Sequence, residues 1–235
     1  MDTTILKTRV EDIRRRMRQA GDHGQVTLMA AVKYADAEQI NALHRICGIH
    51  DIGENRVQQL LEHYDALEDK QNLRIHFIGS LQKNKVKYIV DKVCMIHSLD
   101  SLSLAQEIEK RCAAISKVMD VLVEINSGME ASKGGLLPCE VQDFCDQLDA
   151  FPHLRLRGFM TMAPKCENLD EYRKYFRETS RQCLDIWQKK LDNIGSIQKN
   201  ASIEPPILSM GMSGSFEAAI AEGATIVRVG GALFL

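Results

Sequence analysis

The chain has 235 residues, 45% hydrophobic and 26% charged, with a formal net charge of -2. This is ordinary globular composition, with ample chain for one large core, and the whole of 1–235 reads as a single domain. The charge balance gives no basic field for nucleic acid, and neither a signal peptide nor a membrane-spanning run is visible, so a cytoplasmic protein is expected.

In chain order, Leu6, Val10, Ile13 and Met17 recur at helical spacing and predict a helix over Thr4–Ala20. The run Arg14-Arg15-Arg16-Met17-Arg18 reads as its solvated face rather than a nucleic-acid patch. Apolar, β-branched runs predict strands at Val26–Lys33, Ile49–Gly53, Arg74–Gly79, Met95–Ser98, Val121–Asn126, Arg155–Met162, Ile207–Met210 and Thr225–Val229. Between them, helices are expected near Ala37–Cys47, Arg56–Leu67, Lys83–Lys92, Ser101–Ile115, Glu140–Leu148, Leu169–Leu191 and Ser215–Gly223. Ser101 and Ser103 offer N-caps, and Gly195 offers a stop after the stripe Tyr172, Phe176, Cys183, Trp187 and Leu191. The breaker cluster Asn193 to Pro206 reads as a long loop.

Eight buried strands alternating with helices predict an α/β fold, a (β/α)8 TIM-type barrel, with an open doubly wound sheet as the alternative. No eighth helix is expected after the last strand. The extra N-terminal helix is expected to cover that gap.

In such a barrel, function sits at the C-terminal strand ends. Lys33 ends the first predicted strand. An ammonium there loses water on most sides, which favours the free amine and attack on a carbonyl. A surface lysine just past a strand is the plain alternative. Gly211, Ser213 and Gly214 after strand seven, with Gly230 and Gly231 after strand eight, suit a phosphate approached by backbone N–H groups. Arg228 lies in an otherwise apolar strand and needs an acceptor, either Glu54 or Glu124, or a ligand atom. His76 reads first as a satisfied core histidine. Lys83 and Lys85 open a helix against its dipole, which suits a nearby anion, and Lys133 sits in a loop after strand five. The seven cysteines are scattered, without a Cys-x-x-Cys pair, and the histidines show no metal spacing, so reduced thiols and no metal are expected.

The ordered motifs carry a resemblance. They are Ala31-Val32-Lys33, Gly53-Glu54-Asn55-Arg56-Val57-Gln58, His76-Phe77-Ile78-Gly79-Ser80-Leu81-Gln82-Lys83-Asn84-Lys85, Asn126 with Glu130-Ala-Ser-Lys133, Gly158-Phe159-Met160-Thr161-Met162, Leu208-Ser209-Met210-Gly211-Met212-Ser213 and Val227-Arg228-Val229-Gly230. Together they resemble the pyridoxal-phosphate homeostasis protein family, which shares the barrel of the alanine racemase N-terminal domain. The resemblance implies that Lys33 holds pyridoxal 5'-phosphate as a Schiff base. It implies phosphate contacts from Ser213, Gly230 and Gly231, ring contacts from Asn55, His76 and Met210, and Arg228 facing the pyridine nitrogen. The chain departs from the family pattern at Arg56, at Ser215 and in the ending Ala232-Leu-Phe-Leu235.

The implied role is intracellular pyridoxal-phosphate homeostasis with little or no turnover. An arginine at the ring nitrogen weakens the electron sink, and neither Tyr34 nor Tyr88 is evidently placed as a second acid–base group. Apo pyridoxal-phosphate enzymes are possible recipients, and a monomer is expected. The alternatives are an amino-acid racemase or lyase using Lys33 as base, and a barrel enzyme whose Lys33 condenses with a phosphorylated substrate.

Overall fold

Each of the eight apolar runs forms a strand, and in the computed structural model, which describes residues 3–130, 133–194 and 204–235, they close into one parallel barrel in sequence order. The strands are β1 (Thr27–Ala31), β2 (Asp51–Glu54), β3 (Arg74–Phe77), β4 (Met95–Leu99), β5 (Met119–Ile125), β6 (Leu154–Thr161), β7 (Ile207–Ser209) and β8 (Ile226–Val229). Closure is made by β1, which pairs with β2 through Ala30↔Ile52 and with β8 through Met29↔Arg228. The open doubly wound alternative is therefore excluded.

The helices are α1 (Thr3–Gln19), α2 (Ala37–Cys47), α3 (Val57–Ala66), α4 (Leu102–Ala114), α5 (Val141–Gln147), α6 (Leu169–Ile194), α7 (Phe216–Ala221) and α8 (Gly231–Phe234). Asp36 explains the clean start of α2, because its carboxylate and Gln39 form a reciprocal capping box. Ser101 stands at the N-cap of α4, but its side chain makes no capping bond. The expected stop at Gly195, and most of the Asn193 to Pro206 loop, lie outside the described residues.

Three expectations are corrected. First, β1 ends at Ala31, and Lys33 lies on a single 3-10 turn, Val32–Tyr34. The loop after β8 crowds this end of β1: a Cβ on Gly230 would stand 2.8 Å from the Ala31 carbonyl oxygen. Second, the Lys83–Lys92 helix is only a 3-10 stretch, Lys83–Tyr88. Gln82 gives it no side-chain cap, and lysines at its start oppose the helix dipole. Third, a one-turn helix, α8, does follow β8. It buries Leu233 and Phe234, and Arg9 of α1 donates to the Leu233 carbonyl at 2.9 Å. As expected, Leu6, Val10, Ile13 and Met17 form the buried face of α1, which packs against α2, α7 and α8.

The main core lies between the strands and the surrounding helices. Two smaller clusters, Met29/Ile78/Ile226 and Met95/Leu122/Met160, fill the barrel itself. Alternate strand residues face inward, so the polar residues in those inward positions are placed inside the barrel by the same period.

Candidate functional site

The inward polar residues are joined in a chain. Asp51 at the start of β2 accepts from His76 Nε2 at 3.1 Å, and His76 Nδ1 meets His97 Nε2 at 3.0 Å. His97 Nδ1 meets Ser209 Oγ at 3.1 Å, and Arg228 Nη1 donates to the same hydroxyl at 2.7 Å. All five residues are buried. Arg228 also donates to the Ser209 carbonyl at 2.6 Å and to the Thr161 carbonyl at 2.9 Å. The carboxylates considered as its partners take other roles. Glu54 points outward to His63 Nδ1 at 2.7 Å, and Glu124 acts on Arg228 through space.

Charge is distributed unevenly along this chain. Burial alone would push the His76 imidazole down, but its bond to Asp51 and the neighbouring Cys94 sulfur outweigh burial and raise it from 6.5 to about 9. The Asp51–His76 ion pair is therefore fully stabilising below pH 6.5 and fades as pH rises through about 9. Burial, with His76 and Arg228 as cationic neighbours, holds His97 well below the usual range and so neutral. A charged His76 donates Nδ1–H to His97 Nε2, which makes His97 the Nδ1–H tautomer and a donor to Ser209. Burial lowers Arg228 to about 10, with Glu124 opposing, so it stays charged at neutral pH. Burial, reinforced by Asp100 and opposed by Arg228, raises Glu124 to about 7.

Above the chain, at the C-terminal mouth, the loops after β7 and β8 meet. Ser213 Oγ accepts the Ala232 amide at 3.2 Å. The amides of Ser213, Gly214 and Gly231 donate to no protein acceptor among the described residues. Arg228 Nε likewise has no acceptor among them, although the residue is only 4% exposed. Gly214 is exposed and Ser213 and Gly231 are partly exposed, so these oriented donors form a cradle open to an anion arriving at the mouth. Gly230 brings this cradle against the end of β1, next to the turn carrying Lys33.

Lys33 is exposed, so the desolvation expected from a buried strand end is absent. Its Nζ lies 5.1 Å from the Tyr34 ring centroid. Asn55 follows β2, and its carbonyl is so close that a Cβ on Gly79 would stand 2.1 Å away, which ties together the loops after β2 and β3. Met210 does not join the mouth: its side chain packs in the layer between barrel and helices. His76 lies inside the barrel with both ring nitrogens engaged by protein groups, as a satisfied core histidine should. Lys83 borders a cleft against α4, and Lys85 lies over Tyr88. Lys133 pairs with Glu130 at 2.9 Å, while residues 131 and 132 of that loop lie outside the described residues.

Sequence reasoning missed His97 and Asp51. The available signal was His97 in the apolar run Met95-Ile96-His97, at an inward alternate position. No cluster of metal-ligating residues occurs among the described residues.

The sequence model of the family described as "Alanine racemase, N-terminal domain" matches residues 3–235. The chain is 44% identical over 207 residues to the pyridoxal phosphate homeostasis protein of Aquifex aeolicus, covering 88% of this chain and 85% of that one. It is 38% identical to the protein of the same name from Helicobacter pylori, covering 90% and 88%. Among solved structures, PipY of Synechococcus elongatus with PLP bound superposes with a TM-score of 0.83 at 26% identity, covering 98% of this chain and 100% of that one.

Proposed function

Because the chain belongs to the alanine racemase N-terminal domain family, we propose that it holds pyridoxal 5'-phosphate as a Schiff base on Lys33 and serves cofactor homeostasis and amino-acid/keto-acid balance with little or no turnover. The observation that carries this reading is the set of acceptor-less donors at the mouth. The amides of Ser213, Gly214 and Gly231 and the Arg228 Nε face a site at the end of the lysine strand.

These residues fit the group. The Ser213 hydroxyl and the amides around Gly214, Gly230 and Gly231 would take its phosphate. Lys33 would take its aldehyde, Arg228 its ring nitrogen, and Asn55 would flank the ring. His76 acts from below, through His97 and Ser209, rather than by offering a free ring nitrogen. When bound, the cofactor supplies an aldehyde that condenses reversibly with amines and a ring that can accept electron density.

The protein's own residues favour holding over turnover. Arg228 is still charged at neutral pH and denies a proton to the ring nitrogen, which weakens the electron sink. Tyr34 is on the same turn as Lys33, beside the amine rather than across from it, so it does not serve as the second acid–base group that racemisation requires. An exposed Lys33 suits exchange with other amines, including those of apo enzymes. All seven cysteines are free, and no described helix is long and apolar enough to cross a membrane.

The test is the visible absorption of the purified protein beside Lys33→Ala, followed by borohydride reduction and peptide mass analysis. The expected result is a band that reduction fixes onto Lys33 and that the variant lacks. The same covalent adduct in the variant overturns the assignment. Sustained turnover of a panel of L- and D-amino acids would instead establish the racemase or lyase reading.

A further inference from the structure

The arginine run of α1 divides by partner. Arg15 pairs with Asp12, and Arg16 donates to Glu217 at 2.7 Å while lying over Phe216. Arg14 and Arg18 remain, four residues apart and so on one face of the helix. Both line a cavity of about 710 Å³ at the N-terminal end of the barrel, opposite Lys33. Arg74, at the start of β3, lines it too. Arg14 reaches only the Gly48 carbonyl, at 3.4 Å, and Arg18 has no partner among the described residues.

The two carboxylates in this cavity offset only part of its positive charge. Asp22 accepts the amides of Gly24, Gln25 and Val26 at 2.8, 2.9 and 3.1 Å. Asp51 is engaged by Arg74 and His76. Three guanidinium groups thus line the cleft with two carboxylates, one of them already paired with Arg74, and its inner wall carries apolar Met17 and Leu28. Guanidinium groups are permanent cations whose planar forks match carboxylate and phosphate oxygens.

We propose that this cavity is a second ligand site, taking a small organic dianion (a phosphate monoester or a dicarboxylate), and that Arg74 and Asp51 connect its occupancy to the barrel interior. Asp51 Oδ1 is shared by Arg74 Nε at 2.7 Å and His76 Nε2 at 3.1 Å. An anion that draws Arg74 away leaves His76 as the main counter-charge on that oxygen. The change then passes through His97 and Ser209 to Arg228. This last link rests on the reading that Arg228 faces the cofactor nitrogen; the ligand site itself does not.

The test titrates inorganic phosphate and, separately, succinate by calorimetry at low ionic strength, where surface charge is least screened. Borohydride-reduced, cofactor-loaded protein is used, so that the upper cradle is occupied. Lys33→Ala protein is titrated in parallel, where only the heat lost in Arg14→Gln/Arg18→Gln is assigned to this cavity, so that failure of the lysine assignment leaves the measurement intact. Saturable binding is expected for at least one anion, weakened about tenfold or more in Arg14→Gln/Arg18→Gln in both backgrounds. No saturable heat, or equal affinity in the double variant, overturns the site. With unreduced holoprotein, saturating anion should displace the cofactor absorption band, and the double variant should not respond. Binding with an unmoved band overturns the connection to Arg228.

Discussion

The barrel interior and its C-terminal mouth use the same kinds of polar group in opposite ways. Inside, Asp51, His76, His97, Ser209 and Arg228 are each hydrogen-bonded to another member of the set. At the mouth, the amides of Ser213, Gly214 and Gly231 wait without acceptors. Paired buried groups specify one packing, whereas oriented donors at the surface leave room for a ligand. Arg228 belongs to both regions: its Nη groups are satisfied from below, and its Nε is not. The contrast separates what the fold needs from what the ligand needs.

Substitution at Arg228 should break the interior most severely. Arg228→Met leaves the Thr161 and Ser209 carbonyls unpaired and removes the cation near Glu124. A loss of about 3–5 kcal/mol is expected in urea denaturation. A loss below about 1 kcal/mol would show that the chain is not a structural unit.

Glu124 sharpens the contrast through pH. Its folded value is raised from 4.5 to about 7, because burial disfavours the charged form. For an acid this means a destabilising contribution that is absent below pH 4.5, grows through the interval and is complete above about 7. Glu124→Gln should match the parent at pH 4 and be more stable at pH 8, by roughly 3 kcal/mol at most. Parallel stability–pH curves for the two proteins would refute this.

The smallest effect on folding belongs to the mouth. Ser213→Ala removes one partly exposed bond to the Ala232 amide and should cost under about 1 kcal/mol. Cofactor retention on gel filtration should nevertheless fall. If stability falls as far as in Arg228→Met, the division between mouth and interior fails.

These regions were unequally legible in the sequence. The strands follow from apolar, β-branched runs, and α2 matches the expected Ala37–Cys47, where the structure shows Asp36 and Gln39 fixing its start locally. The glycine and serine loops were visible because their chemistry lies within a few residues. The interior chain was not, because its partners are distant: His97 and Ser209 are 112 positions apart, and Arg228 and Thr161 are 67 apart. The exposure of Lys33 was misjudged for a related reason. At the end of β1 the Ala31 carbonyl meets Gly230 from the far end of the chain, a contact the apolar run before the lysine does not announce. The resemblance implied a ring contact from Met210, yet alternation continuing from β7 turns its side chain outward into the core between barrel and helices.

The closure of the barrel also has a consequence in time. The strand leading to Lys33 is synthesised well before β8, with which it pairs from Thr27↔Ile226 to Ala30↔Val229. The lysine is translated before the loops that would hold a phosphate beside it. During synthesis the amine emerges long before any cradle exists, and the closing contact carries the entropic cost of a loop nearly as long as the chain. If the finished site takes an aldehyde as proposed, that capture follows translation and reports completed folding.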